Sequence, residues 1–403
     1  MKFADLRLAA VLGLCLLAAS VNGGESPDKA SPVGGSGHRT TVGEGDSRIP
    51  VVVVRGTPYE MGWHLGHLTR DEIQKFIPTA MARLKPALGL SDQQIQDVWA
   101  RTAAYSDDRF EQELVGLSDG SEMPLSTLQA VHTLPLLMPY SCSSIAAWGK
   151  ATADGHLYQT RNLDWKLAVG AHDFPVVVVY LPTQGIPHVV PTFSGVIGAH
   201  TGLNFRGIVL SEMGDSPAKE APYDVHAPHF TVVFRSLLYD ADSLSRALEI
   251  FQGLPHTKRY HYVFGDGQVD RRAVKILAHT PAAPDRQLVI WTDNDPDDEF
   301  APNVLEHVVY NDEGRGAFPL LQRDYGSLNA DKLIQIANAI PIRGGNVVNV
   351  VYDATALKLW ISYAHGDREA FLRPYTLVDL EKLTADSRSP RPETHAAPGP
   401  DRR

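Results

Sequence analysis

The apolar pattern changes character once along the chain. From Asp71 to Thr133 apolar positions recur at helical spacing, and Ser91-Asp92-Gln93-Gln94 reads as a capped helix start. Glu111 to Leu117 forms a helix ending at Asp119-Gly120, and Pro124 to Leu134 forms another, stopped by Pro135 and Pro139. After residue 142 the apolar runs shorten and turn signals separate them. Val176 to Leu181, Gly207 to Ser211, Tyr260 to Phe264, Ala273 to Ala278, Leu288 to Trp291, Val347 to Tyr352 and Leu357 to Tyr363 read as strands. Asp242-Ser243 caps a helix through Phe251, and Asp331 to Ile340 is a second. The N-terminal part opens with a continuous β-branched run, Ile49 to Arg55, read as a buried strand. A turn and helix follow, in which Gly62 and Gly66 share a face that another element can approach closely. Strands in hairpins with few helices between them predict an α+β domain of antiparallel sheets rather than a doubly wound fold.

One stretch carries both a hairpin and chemistry: Cys142 to Trp165, CSSIAAWGKATADGHLYQTRNLDW. Ala153-Asp154-Gly155 marks the turn between two short runs. Folding back brings Arg161 and Asp164 of the second strand near the thiol that begins the first. A nearby cation favours the thiolate, the form that attacks carbonyls. Arg161 supplies that cation, and Asp164 can orient it or a nearby ammonium. None of the 16 histidines is placed beside Cys142 by local spacing; His156 merely lies on the facing strand, so a papain-like pair has no local support. A cut between Ser141 and Cys142 offers another base, the new α-amine of Cys142. Its reference pKa of roughly 7.7–8 suits proton transfer near neutrality.

Composition and charge sharpen this picture. The 403 residues are 43% apolar and 21% charged, ordinary for a globular chain. The formal charge of −10 gives no electrostatic case for nucleic acid, and no Lys/Arg run points to an anionic membrane surface. Residues 1–23 read as a signal peptide: Lys2 and Arg7 precede the apolar run Leu8 to Ala19, with small-residue cleavage sites at Ala18-Ala19-Ser20 or Val21-Asn22-Gly23. That run is about half the ~20 residues a bilayer span needs, so export to periplasm or medium is expected, with no stable membrane span. Lipidation of Cys15 is the less favoured alternative. Residues 24–48 and 386–403 read as a disordered leader and tail. Of the two cysteines, Cys15 lies inside the signal, leaving Cys142 as a lone thiol in an oxidising compartment, either buried or used. His64 with His67, and His226 with His229, are read as packing or loop residues rather than metal pairs.

The block YSCSSIAAWGKATADGHLYQTRNLDW resembles the nucleophile region of the acyl-coenzyme A:6-aminopenicillanate acyltransferase-like family, which belongs with choloylglycine hydrolases and penicillin V acylases among the N-terminal nucleophile (Ntn) hydrolases. The likeness extends to GTPYEMGWHLG at 56–66, ELVGLSDGSEMPLSTL at 113–128, TGLNFRGIVLSEMG at 201–214 and NVVNVVYDATALKLWISYA at 346–364. The resemblance implies a four-layer αββα sandwich, with residues 49–141 as a helical propeptide or small subunit and 142–385 as the core. It implies that Cys142 directs its own release and then serves as the nucleophile, held by Arg161 and Asp164. Small-molecule acyl-amide or acyl-ester substrates, no metal or organic cofactor, and self-association of the cleaved fragments go with it. One departure concerns the oxyanion: relatives carry an asparagine or tyrosine in the strand that here reads Gly207 to Gly214. Asn204 or Glu212 are the nearest candidates, but Asn204, in an Asn-x-x-Gly turn, reads more simply as a turn residue, an ionised Glu212 would repel an oxyanion, and one lost donor typically costs ~10²–10³ in rate. Three readings follow: an exported cysteine amidohydrolase or acyltransferase, a phospholipase-B-like or other ester hydrolase on the same scaffold, and a non-catalytic binding protein.

Overall fold

The computed structural model describes residues 33–386 apart from 139, 215–222, 282–287, 294, 299 and 342. The signal segment 1–23, leader residues 24–32 and tail residues 387–403 lie outside the described residues. The strands form two sheets. The first runs β1 (Ser36–Val42), β2 (Ile49–Gly56), β5 (Pro175–Pro182), β6 (His188–Phe193), β7 (Thr201–Asn204), β8 (Ile208–Gly214), β9 (Tyr260–Asp266), β10 (Arg272–Ala278), β11 (Leu288–Trp291). The second runs β12 (Val308–Asn311), β3 (Ser141–Gly149), β4 (Gly155–Asp164), β13 (Asn346–Asp353), β14 (Lys358–Tyr363), β15 (Thr376–Asp379). Sheet neighbours are antiparallel except β2 and β5, which pair in parallel. Parallel neighbours need a long connection, and here it holds five helices and the β3–β4 hairpin.

Helices cover both outer faces. On the first sheet, α1 (Pro58–Leu68) packs on β1 and β2, α6 (Phe230–Asp240) on β7, and α7 (Leu244–Gln252) on β9. On the second, α9 (Ala330–Ala339) packs on β4 and β13, with α8 (Ala317–Asp324) beside it. The sheets face each other through β3 and β4 against β8 and β9. The layers are therefore helix, sheet, sheet, helix. Strand β3 shows why its run Ile145 to Trp148 is apolar without a break. Cys142, Ala146 and Trp148 belong to the larger core, whereas Ile145 and Ala147 pack in a second core with Leu321, Leu333 and Ile336 of α8 and α9. A strand buried on both faces loses the alternation of a half-exposed one.

The rest of the N-terminal part is α2 (Arg70–Leu88), α3 (Asp92–Ala103), α4 (Asp108–Ser121) and α5 (Leu125–Leu137). The glycines of α1 meet glycines of α4. A Cβ on Gly62 would lie 2.0 Å from the Glu113 carbonyl oxygen, and one on Gly116 2.0 Å from that of Tyr59. The helix backbones touch, so α4 continues through Asp119-Gly120, where the sequence predicted its end. Similarly, α5 runs past Pro135 to Leu137.

One expected boundary shifts. Residues 36–42, placed in the disordered leader, form β1 against β2, with Ser36 opposite Arg55 and Val42 opposite Ile49. It is an edge strand with mostly exposed side chains, so it lacks the alternation that would reveal it. With β1, residues 49–141 supply the edge of the first sheet, and the 141/142 junction falls inside β3.

Candidate active site

Strands β3 and β4 form the expected hairpin, with Cys142 opposite Leu163 and Ser141 opposite Asp164. Cys142 is fully buried. Two residues before Leu163, Arg161 carries a guanidinium that reaches Glu212 of β8 in the opposing sheet, 3.5 Å from Nη2 to Oε2, with both side chains buried. Burial pushes the Cys142 thiol up to about 12; Arg161 and the Gly214 backbone N–H act against burial, while Glu212 and Asp164 reinforce it. Burial likewise raises the Glu212 carboxyl to about 7 against the pull of Arg161. Glu212 is therefore partly protonated near neutrality, which lifts the objection that it must repel an oxyanion. Arg161 Nε and Glu212 Oε1 have no hydrogen-bond partner among the described residues. Unpaired buried polar atoms are costly in a finished core, but suit a site that a substrate completes.

Gly214 makes this approach possible. A Cβ there would sit 2.1 Å from the Tyr140 carbonyl oxygen, so only glycine lets the end of β8 close on the segment leading to Cys142.

Asp164 lies opposite Ser141, and its side chain meets Arg315 and Asn346. Its carboxylate accepts from Arg315 Nη1 at 2.8 Å and from Asn346 Nδ2 at 2.9 Å. Arg315 Nη2 also donates to the Cys142 carbonyl oxygen at 2.7 Å. Asp164 thus fixes the backbone of the nucleophile through Arg315. Arg315 follows β12, which pairs with β3 on the side away from β4; Asn346 opens β13, which pairs with β4. Neither residue was singled out from sequence. Asn346 begins the run NVVNVVYD, whose apolar residues point to a strand and not to a site.

An apolar cavity of about 70 Å³ lies next to residues that flank Cys142, which is not itself part of its wall. Phe76, Ala80 and Leu84 of α2, Val131 and Leu134 of α5, and Phe193 form much of its wall. Tyr140 and Leu163, which also line it, flank Cys142 in sequence and in the ladder. His200 lines it too; burial, then Arg161 and His132, push its imidazole down to about 3. His229 lies at about 3 and His132 at about 4, both chiefly through burial. Such imidazoles stay neutral at working pH and are weak bases for a thiol.

Other candidates fall outside the cluster. Asn204 is wholly occupied as a turn residue: its Nδ2 donates to Leu238 and Ala241 carbonyls, and its Oδ1 accepts from the Arg206 and Ile208 N–H groups. It has no free donor for an oxyanion. Ser141 Oγ donates to Glu313 Oε2 at 2.8 Å. His64 bonds the Gly34 carbonyl, His67 stacks on Trp63, and His156 pairs with Asp353. His226 pairs with Asp224, and His229 caps α6 by accepting from the Thr231 N–H. No helix among the described residues is long and apolar enough to cross a membrane.

No family model matches the chain. Among curated proteins, it is 27% identical over 307 residues to Protein dcd1B of Dictyostelium discoideum, covering 70% of this chain and 59% of that one. It is 22% identical over 375 residues to Protein dcd1A of the same organism, covering 80% of each. The chain thus spans about three-fifths of the length of dcd1B. Solved structures with similarity include a Caenorhabditis elegans N-acylethanolamine-hydrolyzing acid amidase ortholog, at TM-score 0.42 and 13% identity, covering 59% of this chain and 100% of that one. Penicillin V acylase from Agrobacterium tumefaciens aligns at TM-score 0.39 and 12% identity, covering 60% and 87%. A mutant conjugated bile acid hydrolase from Clostridium perfringens aligns at 0.40 and 12%, covering 60% and 93%.

Proposed function

We propose that this protein is an exported, self-processing cysteine amidohydrolase or acyltransferase that acts on acyl-amide bonds bearing an apolar acyl chain. One observation carries the reading: a buried thiol, the one cysteine among the described residues, lies in a hairpin whose other strand carries the buried Arg161, and its neighbours Tyr140 and Leu163 line an apolar cavity. A cysteine serving only as core packing has no need of a buried arginine.

In the uncut chain burial keeps the thiol protonated, and the neighbouring imidazoles are weak bases. Scission before Cys142 creates an α-amine on the same residue, which takes the thiol proton. The sulfur then adds to the substrate's amide carbonyl, and the carbon–nitrogen bond breaks as the amine leaves with a proton. Water, or a second amine, displaces the sulfur and restores the thiol. Neutral Glu212 can donate to the developing oxyanion, and Arg161 holds the thiolate. Asp164, Arg315 and Asn346 keep the strand ends in place. The acyl chain lies in the cavity, where apolar area contributes about 25 cal/mol per Å² removed from water.

The test is a panel of matched N-acyl amides and acyl esters of increasing chain length, run beside an electrophilic acyl probe. The expected result is amide turnover that improves with chain length, with stoichiometric labelling of Cys142, both lost in Cys142→Ala. A strong ester preference would move the assignment to a lipid esterase on the same nucleophile. Absence of labelling would leave a binding protein.

A further inference from the structure

The loop 312–316, between β12 and α8, lies against the first residues of β3. Glu313 Oε2 accepts the Ser141 hydroxyl at 2.8 Å, and Arg315 Nη2 donates to the Cys142 carbonyl oxygen at 2.7 Å. One side chain therefore holds the residue before the 141–142 peptide bond, and the other holds the residue after it. The loop turns through left-handed backbone at Glu313 (φ 52), Gly314 (φ 75) and Gly316 (φ 97). Glycine adopts that region freely, whereas another residue gives up about 1–2 kcal/mol. A glutamate in this place calls for a reason, and its carboxylate has one in Ser141; its ion-pair contact with Arg315 is longer, at 3.9 Å.

We propose that Glu313 is a positioning residue for scission of the precursor and takes no part in later turnover. The inference rests on the reading that the chain is cut before Cys142. In that step Cys142 Sγ bonds to the Ser141 carbonyl carbon. The carbon–nitrogen bond breaks, and the thiol proton passes to the nitrogen, which becomes the α-amine. Water then splits the Ser141 thioester, giving a carboxyl on Ser141 and the free thiol on Cys142. The attack requires the Ser141 carbonyl to be held toward the sulfur. Ser141 is the first residue of its strand, where pairing is weakest, and the Glu313 bond supplies a second anchor through the side chain. Once the chain is cut, Ser141 belongs to the other fragment, and Glu313 keeps only its longer 3.9 Å contact with Arg315 on the nucleophile's side.

The experiment follows the appearance of the fragment beginning at Cys142 by mass spectrometry, in the full-length protein and in Glu313→Ala, Glu313→Gln, Ser141→Ala and the Ser141→Ala/Glu313→Ala double variant. Acyl-amide turnover is measured in parallel per titrated Cys142. Glu313→Ala and Ser141→Ala should each slow scission about tenfold or more. The double variant should be no slower than either single one, and Glu313→Gln, whose amide oxygen still accepts the hydroxyl, should recover most of the rate. Turnover per cleaved molecule should equal wild type in all four. Wild-type scission rates in Glu313→Ala, additive losses in the double variant, or a matching fall in turnover per cleaved molecule would each overturn the assignment while leaving self-processing intact. A wild-type chain that is never cut at this bond would overturn both.

Discussion

Arg161 and Glu212 act on the same sulfur with opposite sign. Removing the cation in Arg161→Ala should cut the thiolate fraction at fixed pH by roughly 10–1,000-fold, measured as the alkylation rate of Cys142 against pH. Glu212 titrates at about 7 because it is buried, so its neutral, donating form declines as pH rises through that value. Glu212→Gln should flatten the fall of amide hydrolysis above neutrality. The stability effect has the same sign. A carboxyl whose folded pKa lies above its ordinary 4.5 contributes stability that is complete below that value and is lost as pH rises toward about 7. The melting temperature of the wild type should therefore fall relative to Glu212→Gln across that window. Cys142, Arg161 and Asp164 were legible in the sequence because one hairpin carries all three. Arg315 and Asn346 were not, because they reach Asp164 from strands far along the chain, and only sheet register brings them there. The turn role of Asn204 was legible in its Asn-x-x-Gly setting.

At the level of elements, the contact between α1 and α4 is set by backbone rather than side chains. Gly116→Ala places a methyl 2.0 Å from the Tyr59 carbonyl oxygen, and neither helix can yield by rotating a side chain. Overpacking typically costs 1–3 kcal/mol, and an obstacle made of backbone should reach the upper end. Urea unfolding of Gly116→Ala should show a lower midpoint, whereas alanine at Gly89, which has open space around it, should cost only the strain of its left-handed backbone. The α1 half of this contact was legible in Gly62 and Gly66. Its α4 half was misread, because Asp119-Gly120 also spells a helix stop. Strands β6, β12 and β15 escaped notice for other reasons: Pro191 interrupts the run of β6, β12 and β15 are four residues each, and β12 pairs with β3, far away in sequence. Hairpins such as β9–β10 and β13–β14 announced themselves through the turns between them.

On the scale of the whole molecule, residues 33–141 are structural on either side of the proposed cut. They provide β1, β2 and two helices of the cavity wall. Glu113 of α4 also holds Arg235 of α6 through two bonds, 2.9 and 2.7 Å, with both groups buried. After scission the two fragments should co-elute under native conditions and separate only in denaturant. Glu113→Ala strands the Arg235 charge, at a cost of about 3–5 kcal/mol, and should weaken that association. The antiparallel character of the sheets was legible from the spacing of turns. The parallel β2–β5 pair was not, since it joins strands on opposite sides of the cut. The most direct test of the account is the mass and N-terminal sequence of the protein purified from its export compartment. Two associated fragments are expected, the second beginning with Cys142 and active on acyl amides, with a single uncut chain in Cys142→Ala. A single chain continuous through 141–142 that nevertheless hydrolyses acyl amides would contradict it.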